Sequence, residues 1–203
     1  MKLNNNTKMA NRYGIDLKFY RYENGTKGEP VTTIDFANSC TLDLSSDITW
    51  ATGGQGKSKM VGFNNPVEGT FTISTQINTM PLLALVTGED ASKSDIKKVT
   101  FKNNADAKTN YFVVEGTTLW KDEDGTTYTE DITLHKACIS KKYNVSYTGD
   151  GDPQSIDVTL ELAADKDKNV VTLERGDGEE PEDTEPVEPE PTEPEEPEEP
   201  DEP

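Results

Sequence analysis

Ala51-Thr52-Gly53-Gly54-Gln55-Gly56-Lys57-Ser58 comes nearer to a chemical site, in residue type and spacing, than any other stretch of this sequence. It matches a relaxed phosphate-binding loop in which Ala replaces the first Gly. In such a loop the backbone amides wrap the phosphates, and a helix begins directly after Lys-Ser. Here Lys59-Met60-Val61-Gly62-Phe63-Asn64-Asn65-Pro66 follows, and its Asn pair, Gly and Pro leave no room for a helix. The segment therefore reads as a flexible Gly-rich loop rather than a nucleotide site.

Other chemical constellations dissolve in the same way. Asp122, Asp124, Glu130 and Asp131 cluster, but Gly125 follows Asp124 directly, out of register for a calcium-binding helix-loop-helix. They read as a solvated acidic hairpin tip, and Asp150 and Asp152 as another acidic loop. His135 is the only histidine. It has no partners in a recognisable triad pattern, and no Gly-x-Ser-x-Gly elbow exists. Alternation points it away from Leu134, towards the wetter face of its strand. The carboxylates sit in loops without the apolar surroundings that would raise a pKa. The sequence predicts no catalytic residue, no cofactor and no metal. Trp50 and Trp120, each close to a loop, suit either interface anchors or strand-end packing.

The elements around these residues are mostly strands. Apolar residues alternate at Ile34, Phe36, Cys40, Leu42 and Leu44; at Phe71, Ile73 and Ile77; at Ile132, Leu134 and Cys138; and at Ile156, Val158, Leu160 and Leu162. Each pattern predicts a strand with one buried and one wet face. Tyr111–Glu115 is a continuous β-type run suited to burial on both faces. Glu23-Asn24-Gly25 and Asp124-Gly125 predict tight hairpins. One helix stands out: Thr79 caps it, Pro81 suits its first turn, Leu82, Leu85 and Val86 form its apolar stripe, and Gly88 ends it. Asp90–Lys98 offers a second short turn. The expected fold is all-β with one short helix, a β-sandwich or partly closed barrel. Cys40 and Cys138 lie inside strand patterns and read as buried free thiols rather than a disulfide.

Composition divides the chain in two. Residues 176–203 hold 15 of the 39 acidic residues and 8 of the 12 prolines, with no Lys or Arg. With Val187 as its one aliphatic residue, this segment cannot offset the entropy of ordering itself. Proline excludes helix, and like charges favour an extended polyproline-II bristle. The remaining 24 acids face 20 Lys and Arg, so residues 1–175 form a near-neutral domain. That balance speaks against sequence-specific nucleic-acid binding. No apolar run reaches membrane-spanning length, and Met1–Asn6 lacks the apolar core of a secretory signal, which predicts folding in the cytoplasm without a membrane anchor.

From Ile34 to Gly88 the chain resembles the major tail tube proteins of long-tailed (siphovirus-type) bacteriophages. The resemblance rests on Ala51-Thr52-Gly53-Gly54-Gln55-Gly56-Lys57, on Phe71-Thr72-Ile73-Ser74-Thr75-Gln76-Ile77 and on Met80–Gly88, in that order. It implies a structural subunit whose six copies close into a ring, with rings stacked into a tube that conducts DNA during ejection. Its partners would be further copies of itself, the tape-measure, tail-terminator and tail-tip proteins, and DNA in transient, non-specific contact. The place would be the virion tail, reached after assembly in the host cytoplasm. The loop at Ser45–Val61, with Trp50, Ala51, Thr52, Gly53, Gly54, Gln55, Gly56 and Lys57, would reach the adjacent ring. Pro81, Leu82, Leu85, Val86 and Gly88 would pack the helix on the sheet. The Glu/Pro tail would stand on the outer wall, because six acidic tails would obstruct a lumen. An alternative expectation is a capsid decoration or surface-displayed binding module on a Pro/Glu stalk.

Overall fold

The computed structural model describes residues 8–11, 14–35, 37–53, 58–93, 95–102, 109–140 and 155–177. They form β1 (Met9–Asn11), β2 (Asp16–Glu23), β3 (Thr26–Ile34), β4 (Ser39–Ser45), β5 (Ile48–Gly53), β6 (Ser58–Asn64), β7 (Glu68–Thr75), α1 (Met80–Thr87), β8 (Tyr111–Asp122), β9 (Thr127–Ile139), β10 (Ile156–Leu162) and β11 (Val171–Arg175). Nine strands make one sheet in the order β3-β2-β8-β9-β10-β7-β4. β1 pairs with the far half of β8, and β11 with the near half of β9. Every described pairing is antiparallel.

Alternation builds the core as the sequence predicts for β10, where Ile156, Val158, Leu160 and Leu162 are buried. Val158 lies opposite Ile73 and Leu160 opposite Phe71 on β7. Leu17 and Phe19 of β2 and Phe112 and Val114 of β8 continue the same face, with Phe19 and Phe112 edge to face at 6.2 Å. Val31 and Ile34 from one end of the sheet share an apolar cluster with Phe71, Ile73 and half-buried Leu42 from the other. The sheet therefore curls around its core but does not close, since β3 and β4 remain its two ends. Val113 is buried on the opposite face, so the run at Tyr111–Glu115 is covered on both sides at its centre.

Helix α1 closes the core with Leu82, Ala84, Leu85 and Val86, all buried. The Thr79 side chain accepts from the Leu82 amide at 3.3 Å. Gly88 ends the helix in the left-handed region, φ 78°, and the next amides return to Ala84 and Leu85. A Gly88→Ala substitution is expected to cost about 1 kcal/mol, a fall of about 2–4 °C in Tm; an unchanged melting curve would contradict this helix end.

Three sequence readings along these strands need correction. Cys138 is out of phase with Ile132 and Leu134. Phe112 faces Ala137 and Val114 faces Leu134, so His135 and Lys136 together oppose Val113 alone. This β-bulge puts Ala137, not Cys138, in the core beside Leu134. Ile77 is 51% exposed because β7 ends at Thr75, whose buried hydroxyl binds the Ile77 backbone. Leu44 has left the core by the end of β4 and is exposed. The second short turn expected in Asp90–Lys98 is found at Ala91–Ser92, with no helix among the described residues. Phe36 and the Asp150–Asp152 loop lie outside the described residues.

A candidate assembly interface

The segment read as a loop at Ser45–Val61 is a two-stranded antiparallel ribbon, β5 with β6, separate from the large sheet. Ala51, Thr52 and Gly53 lie on β5 and Ser58 starts β6; Gly54, Gln55, Gly56 and Lys57 fall outside the described residues. A strand follows Ser58 where a phosphate loop needs a helix. Its register sets Ile48 opposite Asn64, Trp50 opposite Gly62 and Ala51 opposite Val61. The ribbon's root is tied down: the Asn65 amide donates to the Asp47 carbonyl at 2.9 Å, and Ser46 Oγ donates to the Asn65 carbonyl at 3.1 Å. Thr49 Oγ1 and the Asn65 carboxamide join at 3.1–3.2 Å.

Each described side chain from Asp43 to Thr52 and from Lys59 to Glu68 is exposed. Among them are Ile48 at 51%, Trp50 at 41%, Met60 at 69%, Val61 at 52% and Phe63 at 58%. Trp50 and Ile48 share one face of the ribbon, Phe63 and Val61 the other, because successive residues alternate. Gly62 leaves room for the first group: a Cβ there would lie 3.1 Å from Ile48 Cγ2 and 3.2 Å from the Trp50 ring. Lys59 Nζ stands 5.4 Å from the Trp50 ring centroid. A two-stranded ribbon is marginal in water, and one that is apolar on both faces is suited to cover from both sides. The β pattern of β6 was obscured in sequence by the glycines and asparagines around Met60-Val61-Gly62-Phe63.

The other candidate residues are engaged in holding the fold. Trp120 packs against Arg175, whose guanidinium carbon lies 4.8 Å from the ring centroid, and its indole donates to Glu130 at 2.9 Å. Glu130 also receives Arg175 Nε at 2.5 Å, so this buried carboxylate is paired twice. Asp122 turns the β8–β9 hairpin by accepting the Asp124 and Thr126 amides at 3.0 and 2.8 Å. Asp131 accepts from Thr117 at 2.7 Å. Asp122, Glu130 and Asp131 thus serve separate structural contacts, and Glu130 and Asp131 lie within β9, with Glu130 buried, rather than at a solvated hairpin tip as the sequence suggested.

His135, set by the bulge, bonds Thr172 Oγ1 at 2.7 Å and lies 3.6 Å from Asp165. Burial pushes the Asp165 carboxyl up, but amide hydrogen bonds from Asn169 and Asp167 and the neighbouring His135 outweigh it, leaving its pKa below the usual value. This loop's share of stability is therefore present at neutral pH and lost as pH falls through that lowered value. Thr172 lies within β11, paired opposite Thr133.

Both cysteines are free and half-buried. Burial pushes the Cys40 thiol up to about 12. Burial and then the Glu161 carboxylate raise Cys138. Thiol titration of the native protein at pH 8 is expected to be slow, with Cys138 reacting before Cys40, and fast at both once unfolded. Prompt reaction of Cys40 in the native state would contradict its placement on β4.

Over the described residues, fold and site together define an open, curled β-domain with one helix and an uncovered apolar ribbon. No protein-family model and no curated protein matches the sequence. Among solved structures the chain is similar to one in the "Cryo-EM structure of the anti-feeding prophage (AFP) baseplate, 6-fold symmetrised". The TM-score is 0.49 at 12% identity, over 81% of this chain and 95% of that chain. So loose an overlap assigns neither fold family nor partner to this chain.

Proposed function

We propose that the protein is a non-enzymatic structural subunit of a phage-type tail tube, closing into hexameric rings that stack around a DNA channel. The observation that carries this reading is the β5–β6 ribbon, rooted by Asn65 and exposing Ile48, Trp50, Met60, Val61 and Phe63. It occupies the stretch expected, from the resemblance over Ile34–Gly88, to reach a neighbouring ring. The open sheet ends supply the second requirement. β3 and β4 are different edges, so contact between them is head to tail, and head-to-tail contacts close into rings where the rotation between copies closes. The Glu/Pro segment fits the outer wall, where its charge keeps tubes apart. Tape-measure, terminator and tip proteins would bound the tube.

Negative-stain electron microscopy of the full-length protein at high concentration tests this. Rings or tubes with a central channel are expected. Strict monomers at every concentration, or trimers that bind capsids, would overturn the reading.

A further inference from the structure

The outer face of the sheet carries an aromatic and cationic row that the core does not use. Tyr111 lies on that face because Phe112 and Val114 point into the core. Lys136 Nζ, delivered by the bulge, stands 4.5 Å from the Tyr111 ring centroid and 5.5 Å from that of Tyr22. On the next strands Lys27 Nζ lies 3.8 Å from the Tyr20 ring and donates to both Glu115 oxygens at 2.7 Å. That last group already shows a glutamate seated on a lysine above a tyrosine. Lys136 has no ion-pair partner among the described residues. Further along this face, Asp16, Glu115, Asp131 and Glu174 border a trough with Lys18, so negative charge is repelled there.

The chain itself holds a segment of matching chemistry. Pro191, Pro194, Pro197, Pro200 and Pro203 recur every third residue, with Glu, Asp or Thr between them. In a polyproline-II helix of three residues per turn, these prolines fall on one edge, about 9 Å apart, and the acids on the others. That repeat is close to twice the ~4.8 Å strand spacing. Prolines on one edge suit tyrosine rings, as in aromatic grooves that take proline-rich peptides, and the flanking glutamates suit the lysines. The segment after Arg175 is long enough, at about 3.1 Å per residue, to cross the sheet of its own or a neighbouring copy.

We infer that the C-terminal Glu/Pro segment docks on the Tyr22–Tyr111–Lys136 face of this same protein, prolines on the rings and glutamates on Lys136. It carries more acids than the face can pair, so the remainder projects and still repels other tubes. The inference does not depend on the tube reading.

Zero-length carbodiimide coupling of the full-length protein, read by peptide mass spectrometry, tests it. Links from glutamates beyond Glu180 are expected at Lys136, about fivefold above those at exposed Lys97, Lys98 and Lys166. They should fall to the level of those lysines in ~1 M salt, where the Debye length is about 3 Å. Tyr111→Ser, at a residue 36% exposed and so compatible with folding, keeps both lysines and is expected to lower the Lys136 links about threefold. Links spread evenly over the lysines at low salt, or an unchanged Lys136 yield in Tyr111→Ser, would overturn the inference. Mixing isotope-labelled and unlabelled protein separates docking within one copy from docking between copies, and either supports it.

Discussion

Trp50→Asp and Phe63→Asp, made separately, are each expected to abolish assembly while leaving the domain folded. The two side chains lie on opposite faces of the β5–β6 ribbon, at 41% and 58% exposure, and neither touches the buried cluster. Covering a large apolar side chain is worth about 1.5–3 kcal/mol. Placing a carboxylate in the same dry contact adds a desolvation penalty of at least similar size. At 1.4 kcal/mol per tenfold, each change should raise the concentration needed for assembly by roughly 100- to 10,000-fold. Stability to urea should move by no more than about 0.5 kcal/mol, as for other surface substitutions. Sedimentation velocity and urea unfolding on the same samples provide both readings. Normal assembly by both variants would remove the ribbon from the interface; loss in only one would mean that a single face is covered.

Phe19→Ala should do the reverse, damaging the fold first. Phe19 is fully buried and meets Phe112 edge to face between β2 and β8. Its removal leaves a cavity lined by residues from β2 and β8 whose backbones are fixed by the pairing of Phe19 with Val114. Such truncations cost about 3–5 kcal/mol, a large part of the ~5–15 kcal/mol that holds a domain together. Urea unfolding should show the midpoint falling with little change in slope. Phe63→Ala, the same chemistry on the ribbon, should leave that midpoint almost where it is. Equal effects at the two positions would contradict the division between core and ribbon.

How far the sequence could be read depended on how local each determinant is. The helix was legible in full, because Thr79, Pro81 and Gly88 act within one or two turns of themselves. The hairpin at Asn24-Gly25 was legible for the same reason, both residues taking positive φ. Strand β10 was legible because its alternation runs unbroken from Ile156 to Leu162. At β9 the same rule misplaced Cys138, since one extra residue at His135–Lys136 shifts every later side chain to the other face. A bulge is defined by the partner strand, and periodicity along one strand carries no record of it. The ribbon shows the limit most plainly. Its residues read as a Gly-rich loop, but the strand in β6 depends on pairing with β5, where Gly62 makes room for Trp50. The sequence by itself determined the β class, the helix, the turns and the two-part charge distribution, all of them set by neighbours in the chain. Only the tertiary structure decided that the sheet curls open, that Glu130 is buried against Trp120 and Arg175, and that an apolar ribbon is left uncovered. Those outcomes follow from contacts between residues far apart in sequence, whose free energy exists only once the strands have found one another.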